Sequence, residues 1–133
     1  MPSFVIALFL AAHGLLHASF VSPTPPATAG GPQWPFSLAH SWLLGPLGLD
    51  AAAKPIGIAL LVVVLAGYLI AALSVVGILP APLFVPAVVA GSVASAVMLV
   101  LLFHPWLVLG LLIDAVLLWS VLANGWLPGE VGR

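Results

Sequence analysis

Charged side chains are scarce in this sequence of 133 residues, since Lys, Arg, Asp and Glu together make up only 4% of it. A soluble globular domain carries about 25% of such residues, and a chain of this length needs them to cover its surface. A nucleic-acid-binding protein needs a basic face for the phosphates, and two basic side chains do not form one. The composition therefore excludes a soluble enzyme, a nucleic-acid binder and a disordered segment.

Cysteine is absent as well. Without a thiol, the chain forms no disulfide, no thiolate metal site and no iron–sulfur cluster. The sequence also lacks a Gly-rich phosphate loop, a nucleophile elbow and a paired-carboxylate site. These absences leave the question of an enzyme open, but they favour a protein that is not one.

Apolar residues make up 64% of the chain, and they occur in stretches of about the 20 residues that a helix needs to cross a bilayer. Proline-rich turns and the joint at His104-Pro105 separate these stretches. The predicted spans are residues 2–21, 55–79, 83–103 and 106–123. The sequence therefore predicts an all-α, four-transmembrane-helix bundle, with residues 1–133 forming one integral membrane domain in the lipid bilayer.

The first apolar run has two interpretations, a membrane span or a cleaved signal peptide. A signal peptide begins with basic residues, and none precedes this run, which is also long enough to span. We interpret it as a span, with cleavage as the alternative. Four spans place both termini on the same side of the membrane. The abundance of Ala, Gly, Pro, Leu and Val is typical of GC-rich genomes and predicts a bacterial inner (plasma) membrane.

Residues 22–53 form one long connection, and its second half contains an apolar stretch rich in Trp and Phe. Pro35 stands at the start of this stretch and Gly45-Pro46 at its end, which are typical start and stop signals of a helix. The stretch is too short to span, and Trp prefers the headgroup level. The sequence therefore predicts a short interfacial helix at about residues 35–44.

Ionisable side chains within the predicted spans are few. His13 and His17 lie in the first span at positions i and i+4, and therefore on one helix face. Asp114 lies in the fourth span, where a charge costs at least ~2.5–3.5 kcal/mol, so it should face the bundle and find a partner. Counting residues from the loop-side ends puts His13 and Asp114 at one depth, about 12 Å below the boundary. His104 lies at that boundary and His40 above it, so all these groups belong to the loop-side half.

Two hypotheses fit this cluster, because imidazoles bind divalent metals and a His–carboxylate pair holds a proton. The first is a buried site for a divalent metal ion or a proton, formed by His13, His17 and Asp114 together with His104. The second is a structural or accessory subunit of a larger membrane complex, whose polar side chains only hold the helices together. A site requires both His13 and His17 to point toward Asp114, so geometry separates the two hypotheses.

Small residues recur every fourth position in the third span, at Ala87, Gly91 and Ser95. This spacing lets helix backbones approach closely in lipid. It predicts close packing inside one bundle. Formation of a homodimer, or of a larger membrane complex, through this ridge is the alternative.

Three motifs resemble a family of small four-span bacterial membrane proteins. They are H-G-L-L-H at residues 13–17, W-P-F-S-L-A-H-S-W-L-L at residues 34–44, and F-H-P-W followed by L-L-I-D at residues 103–114. The resemblance covers most of the chain, and it implies no particular activity. The chain lacks the first-span Glu of small multidrug transporters and the Gly/Asn/Arg pattern of small fluoride channels.

Overall fold

Four α-helices make up the computed structural model, which describes residues 2–127 and contains no strand in that range. The helices are α1 (Ser3–Leu16), α2 (Asp50–Val75), α3 (Phe84–Leu101) and α4 (Val108–Leu122). Three 3₁₀ turns extend them: His17–Val21 follows α1, Ala81–Leu83 precedes α3, and Pro105–Leu107 precedes α4. The predicted four-helix architecture is confirmed.

Each helix, with its 3₁₀ turn, is long and apolar enough to cross a membrane, at 19, 26, 21 and 18 residues in chain order. The outer surface of the bundle fits that environment. Leu8, Val62, Leu109 and Val116 are each more than half exposed, which is costly in water but normal against lipid acyl chains. The chain is an integral membrane protein.

The ends of α2 differ from the predicted span of residues 55–79. The helix begins at Asp50, whose carboxylate lies in the first turn and interacts favourably with the helix dipole. It ends at Val75 because Gly77 adopts a left-handed φ of 78°, and the N–H of Ile78 returns to the carbonyl of Leu73. This is the usual glycine termination of a helix. The whole span therefore lies about one turn earlier than predicted.

The chain turns between α3 and α4, as a hairpin of two spans requires. His104 is extended, with φ of −140° and ψ of 144°, and its ring accepts a hydrogen bond from the backbone N–H of Trp106. Pro105 follows at the start of the next turn, where its missing N–H has no cost. The break predicted at His104-Pro105 is confirmed.

The structure does not confirm the interfacial helix predicted at residues 35–44. These residues form bends and turns, and only Gly45–Leu47 is a 3₁₀ turn. Side chains capture the backbone groups that a helix would use: the hydroxyl of Ser37 accepts from the N–H of Ala39, and the carboxylate of Asp50 accepts from the N–H of Ser41. Such side-chain bonds compete with helix formation, and the partner of Ser41 lies outside the stretch itself.

The same loop segment covers the carboxyl end of α3. The hydroxyl of Ser41 donates to the carbonyl of Leu101, and the indole N–H of Trp42 donates to the carbonyl of Val100, both at 2.6 Å. The last carbonyls of a helix have no partner within it. The loop therefore satisfies the end of α3 and is anchored there.

The helices α2 and α3 make the closest contact in the bundle. A Cβ atom on Gly67 of α2 would lie 2.8 Å from the Cα atom of Gly91 on α3. The ridge of Ala87, Gly91 and Ser95 is buried inside the bundle. Ala87, Gly91 and Ser95 thus pack within the bundle.

Neighbouring helices in the chain pack against each other, whereas α1 and α4 have few close backbone contacts. We call the space between them the α1–α4 cleft. One part of it is a cavity of about 190 Å³, lined by Phe9 of α1 and by residues of α4. These are Leu112, Ile113, Val116 and Leu117. The bundle is therefore tightly closed on one side and loosely closed on the other.

Candidate functional site

Asp114 is fully buried in α4 and forms hydrogen bonds to all three other helices. Its Oδ1 atom lies 2.5 Å from the hydroxyl of Tyr68 on α2 and 3.0 Å from Nε2 of His13 on α1. Its Oδ2 atom lies 2.5 Å from the hydroxyl of Ser95 on α3. A carboxyl group in lipid needs such partners. Asp114 is therefore the centre of a polar contact that joins the whole bundle.

His17 extends this contact toward the loop side. Its Nδ1 atom lies 3.0 Å from the carbonyl oxygen of His13, and its Nε2 atom lies 2.7 Å from the hydroxyl of Ser95. Ser95 thus contacts both His17 and Asp114. The result is a continuous line of short hydrogen bonds from His17 through Ser95 to Asp114.

Tyr68 completes the group, because its hydroxyl also lies 2.9 Å from the hydroxyl of Ser92. Its ring meets that of His13 edge to face at 5.0 Å. Gly14 makes this possible, since a Cβ atom there would lie 2.8 Å from Cβ of Tyr68. We call six residues the polar network: His13, His17, Tyr68, Ser92, Ser95 and Asp114. Within residues 2–127, no fully buried side-chain N or O atom lacks a hydrogen-bond partner.

The structure brings together three of the four residues predicted to form the site. His13 and His17 both point into the bundle, as a site requires, and they meet Asp114 directly or through Ser95. His104 is placed elsewhere. It lies in the loop between α3 and α4, packs against the ring of Trp106, and accepts the N–H of that residue.

Sequence reasoning missed Tyr68 and Ser92, and it interpreted Ser95 only as a small packing residue. A signal was present for one of them, because Tyr68 is the only tyrosine of the chain and lies within a span. Serines carry less signal, since a serine in a lipid-embedded helix often donates to its own backbone. Ser74 and Ser120 do so, to the carbonyls of Ile70 and Val116.

A cavity of about 140 Å³ adjoins the polar network in the α1–α4 cleft and is partly open to the surface. His13 and His17 are its polar walls. Its apolar walls are Leu16, Phe20, Phe36, Leu99, Trp106, Leu107, Leu109, Gly110 and Ile113. Phe36 and Trp106 belong to the loop-side segments, so the cavity lies on the loop side of Asp114.

Comparison with known proteins finds no match: no family model fits the chain, and neither a curated protein nor a solved structure is similar to it.

Proposed function

We propose that this membrane protein binds an exchangeable proton between His17 and Asp114, with Ser95 as the bridge. The observation that carries the proposal is the position of Ser95, which has one O–H group but contacts two acceptor atoms. Nε2 of His17 lies at 2.7 Å and Oδ2 of Asp114 at 2.5 Å. Both distances are those of hydrogen bonds, so each contact needs a hydrogen atom.

Counting these hydrogen atoms leads to two allowed states. Nδ1 of His17 faces a carbonyl, which only accepts, so Nδ1 carries a hydrogen atom. Ser95 supplies one hydrogen atom for its two contacts, and the second belongs to Nε2 of His17 or to Oδ2 of Asp114. The pair is then imidazolium with carboxylate, or imidazole with carboxylic acid. Both states hold the same number of protons and have no net charge.

Ser95 allows the two states to interconvert. When its oxygen takes the proton of Nε2 of His17, its own proton passes to Oδ2 of Asp114, and the reverse transfer restores the first state. One N–H bond and one O–H bond break, and two O–H bonds form, so the atoms balance.

The same contacts favour a proton over the divalent metal ion of the first hypothesis. Both oxygens of Asp114 and both ring nitrogens of His17 are already engaged in hydrogen bonds. A metal needs deprotonated ligands with free lone pairs. In the described part of the chain, no three His, Cys, Asp or Glu side chains form a group that could hold a metal.

We also propose that the site exchanges protons with the loop side only, in a bacterial inner membrane with both termini on the opposite side. His17 and the cavity lie on the loop side of Asp114. In the other half, Ser74 and Ser120 donate to carbonyls of their own helices and extend no chain of hydrogen bonds. This arrangement supports a proton-binding site with one access route, in contrast to a channel.

The test measures two groups in lipid bilayers at neutral pH. Solid-state nitrogen NMR gives the fraction of His17 with a proton on Nε2, and the infrared carboxylic acid band that Asp114→Asn removes gives the protonated fraction of Asp114. We expect the two fractions to add up to one. An ionised Asp114 beside a neutral His17 would overturn the proposal.

Two serine variants provide the matched comparison, because Ser92 and Ser95 are both fully buried on α3. Ser95→Ala removes the bridge, so the two fractions should no longer add up to one. Ser92→Ala removes only the contact to Tyr68, and the sum should stay at one. Identical spectra for wild type and Ser95→Ala would contradict the proton bridge.

The second hypothesis, a structural or accessory subunit of a larger complex, also has an observation in its favour, because the polar network joins all four helices. A purely structural network needs hydrogen bonds but no exchangeable proton. Asp114→Asn together with His13→Gln keeps most of these bonds. If a deletion phenotype is fully rescued by this double variant, the structural role is the correct one.

A further inference from the structure

One imidazole nitrogen in the polar network has no partner. Nε2 of His13 bonds to Asp114, but Nδ1 of His13 has no hydrogen-bond partner within residues 2–127. Every fully buried side-chain N or O atom of the described residues has a hydrogen-bond partner. Since Nδ1 of His13 has none there, it is not fully buried. His13 lines the cavity of about 140 Å³. Both ring nitrogens of His17 have partners, so Nδ1 of His13 is the free imidazole nitrogen among the residues that line the cavity.

The hydrogen bonds of His13 fix what this nitrogen can bind. Oδ1 of Asp114 accepts from both the Tyr68 hydroxyl and Nε2 of His13, so Nε2 carries the hydrogen atom. A neutral imidazole has a single N–H group, and its other nitrogen is an acceptor. Nδ1 of His13 consequently needs a donor. Ethers, ketones and quinones have only acceptor oxygens and do not satisfy it.

The walls of the cavity define the rest of the molecule. Apart from His13 and His17 they are apolar, which favours a neutral ligand, and three of them are aromatic: Phe20, Phe36 and Trp106. An apolar cavity of about 150 Å³ holds a benzene ring, so this cavity has the size of one ring. Aromatic walls favour an aromatic ring through edge-to-face contacts. The exposed side chains of Leu16 and Leu109 stand at the rim, where lipid-dissolved molecules arrive.

We propose that this cavity binds the ring of a membrane-dissolved phenol, whose hydroxyl donates a hydrogen bond to Nδ1 of His13. The ring lies between Phe20, Phe36 and Trp106, and any alkyl chain leaves through the α1–α4 cleft. The contact uses Nδ1 of His13, whereas the shared proton uses His17, Ser95 and Asp114. Phenol binding and proton sharing can therefore fail separately.

The test compares two molecules of nearly equal shape, para-butylphenol and para-butylanisole, with the purified full-length protein in lipid nanodiscs. The anisole is the methyl ether of the phenol and has no O–H donor. One added hydrogen bond is worth about 0.5–1.5 kcal/mol, so we expect the phenol to bind about two- to twelvefold more tightly. Simple partitioning into lipid favours the less polar ether, so this preference is the opposite of a nonspecific effect. Tryptophan fluorescence gives the affinity, and the nitrogen NMR signal of His13 Nδ1 reports the contact.

Two leucines of α1 provide the matched variants, since Leu16 is 61% exposed and Leu8 is 60% exposed. Leu16 lines the cavity, and Leu8 does not. We expect Leu16→Phe to fill the entrance and weaken phenol binding by about tenfold or more, and Leu8→Phe to leave it unchanged. Equal affinity for the phenol and its ether, or phenol binding unaffected by Leu16→Phe, would overturn the proposal.

Discussion

The contact between α2 and α3 and the contact between α1 and α4 are built in opposite ways. Backbones meet directly at Gly67 and Gly91 in the first. The second contains cavities of about 140 and 190 Å³, and its helices are joined by the hydrogen bond between His13 and Asp114. Lipid supplies no hydrophobic force between helices, so stability there comes from packing and from hydrogen bonds. We call the α2–α3 contact the packed side, because close backbone packing stabilises it. We call the α1–α4 contact the polar side, because it contains a buried hydrogen bond and cavities.

Gly67→Leu breaks the packed side and is expected to have the largest effect. A Cβ atom at residue 67 would lie 2.8 Å from the Cα atom of Gly91 and 2.9 Å from the carbonyl oxygen of Ala87. Backbone atoms do not move aside as a side-chain end does. Overpacking costs about 1–3 kcal/mol where side chains yield, so we expect a loss of about 3 kcal/mol or more in the free energy of unfolding. Detergent-induced unfolding in mixed micelles measures it.

Ala66→Leu is the control, because Ala66 is the preceding residue of α2 and is exposed. Its new side chain points toward lipid, and the free energy of unfolding should change by no more than about 0.5 kcal/mol. Equal stability of the two leucine variants would contradict the close approach of α2 and α3.

Asp114→Leu breaks the polar side and is expected to have the second largest effect. The Tyr68 hydroxyl keeps Ser92 and the Ser95 hydroxyl keeps His17, so the loss falls mainly on the N–H of His13. A buried donor without a partner costs about 1–3 kcal/mol. Asp114→Asn should lose less than the leucine variant, because its amide still accepts from His13 and donates to Ser95. Unfolding of both variants in the same micelles measures these losses. An Asp114→Leu variant as stable as wild type would contradict the prediction.

Tyr68→Phe sharpens the comparison with a smaller effect. Oδ1 of Asp114 loses one of two donors but keeps His13, and the ring contact with His13 remains. Hydrogen bonds inside lipid-embedded bundles are worth about 1 kcal/mol, and we expect a loss of that size. Ser92→Ala serves as the control, because Tyr68 then still donates to Asp114. If Ser92→Ala lowers the free energy of unfolding more than Tyr68→Phe does, the hydrogen bond from Tyr68 to Asp114 is not the main contribution of the Tyr68 hydroxyl to stability.

The smallest expected effect is a difference in the width of the distance distributions between spin labels on the two sides of the bundle. The chain has no cysteine, so introduced cysteines are the only sites for spin labels. We expect a broad distance distribution between labels at Leu8 of α1 and Val116 of α4, and a narrow one between Leu69 of α2 and Val93 of α3. All four residues are exposed. Equal widths in pulsed electron paramagnetic resonance would show that the α1–α4 cleft is as rigid as the packed side.

The sequence predicts the four helices well, because the thickness of the bilayer fixes the length of an apolar run. It also predicts that His13 and Asp114 meet, since equal depth and the cost of an unpaired charge leave few alternatives. The conformation of the first loop and the role of Ser95 could not be predicted from the sequence. The loop at residues 35–44 is not a helix because Asp50 captures the N–H of Ser41, which is a contact outside the stretch. The role of Ser95 depends on how α3 is rotated, and small residues along α3 left that rotation open.

The bond between His13 and Asp114 also has a consequence for how the protein is made. The two residues are 101 positions apart, and chains are synthesised at about 5–20 residues per second. His13 therefore enters the membrane roughly 5–20 s before its partner. During that interval the imidazoles of His13 and His17 are in the membrane without the carboxylate of Asp114. A chain that stops before α4 keeps them in that condition, so the finished and the truncated molecule differ in the chemistry of their first span.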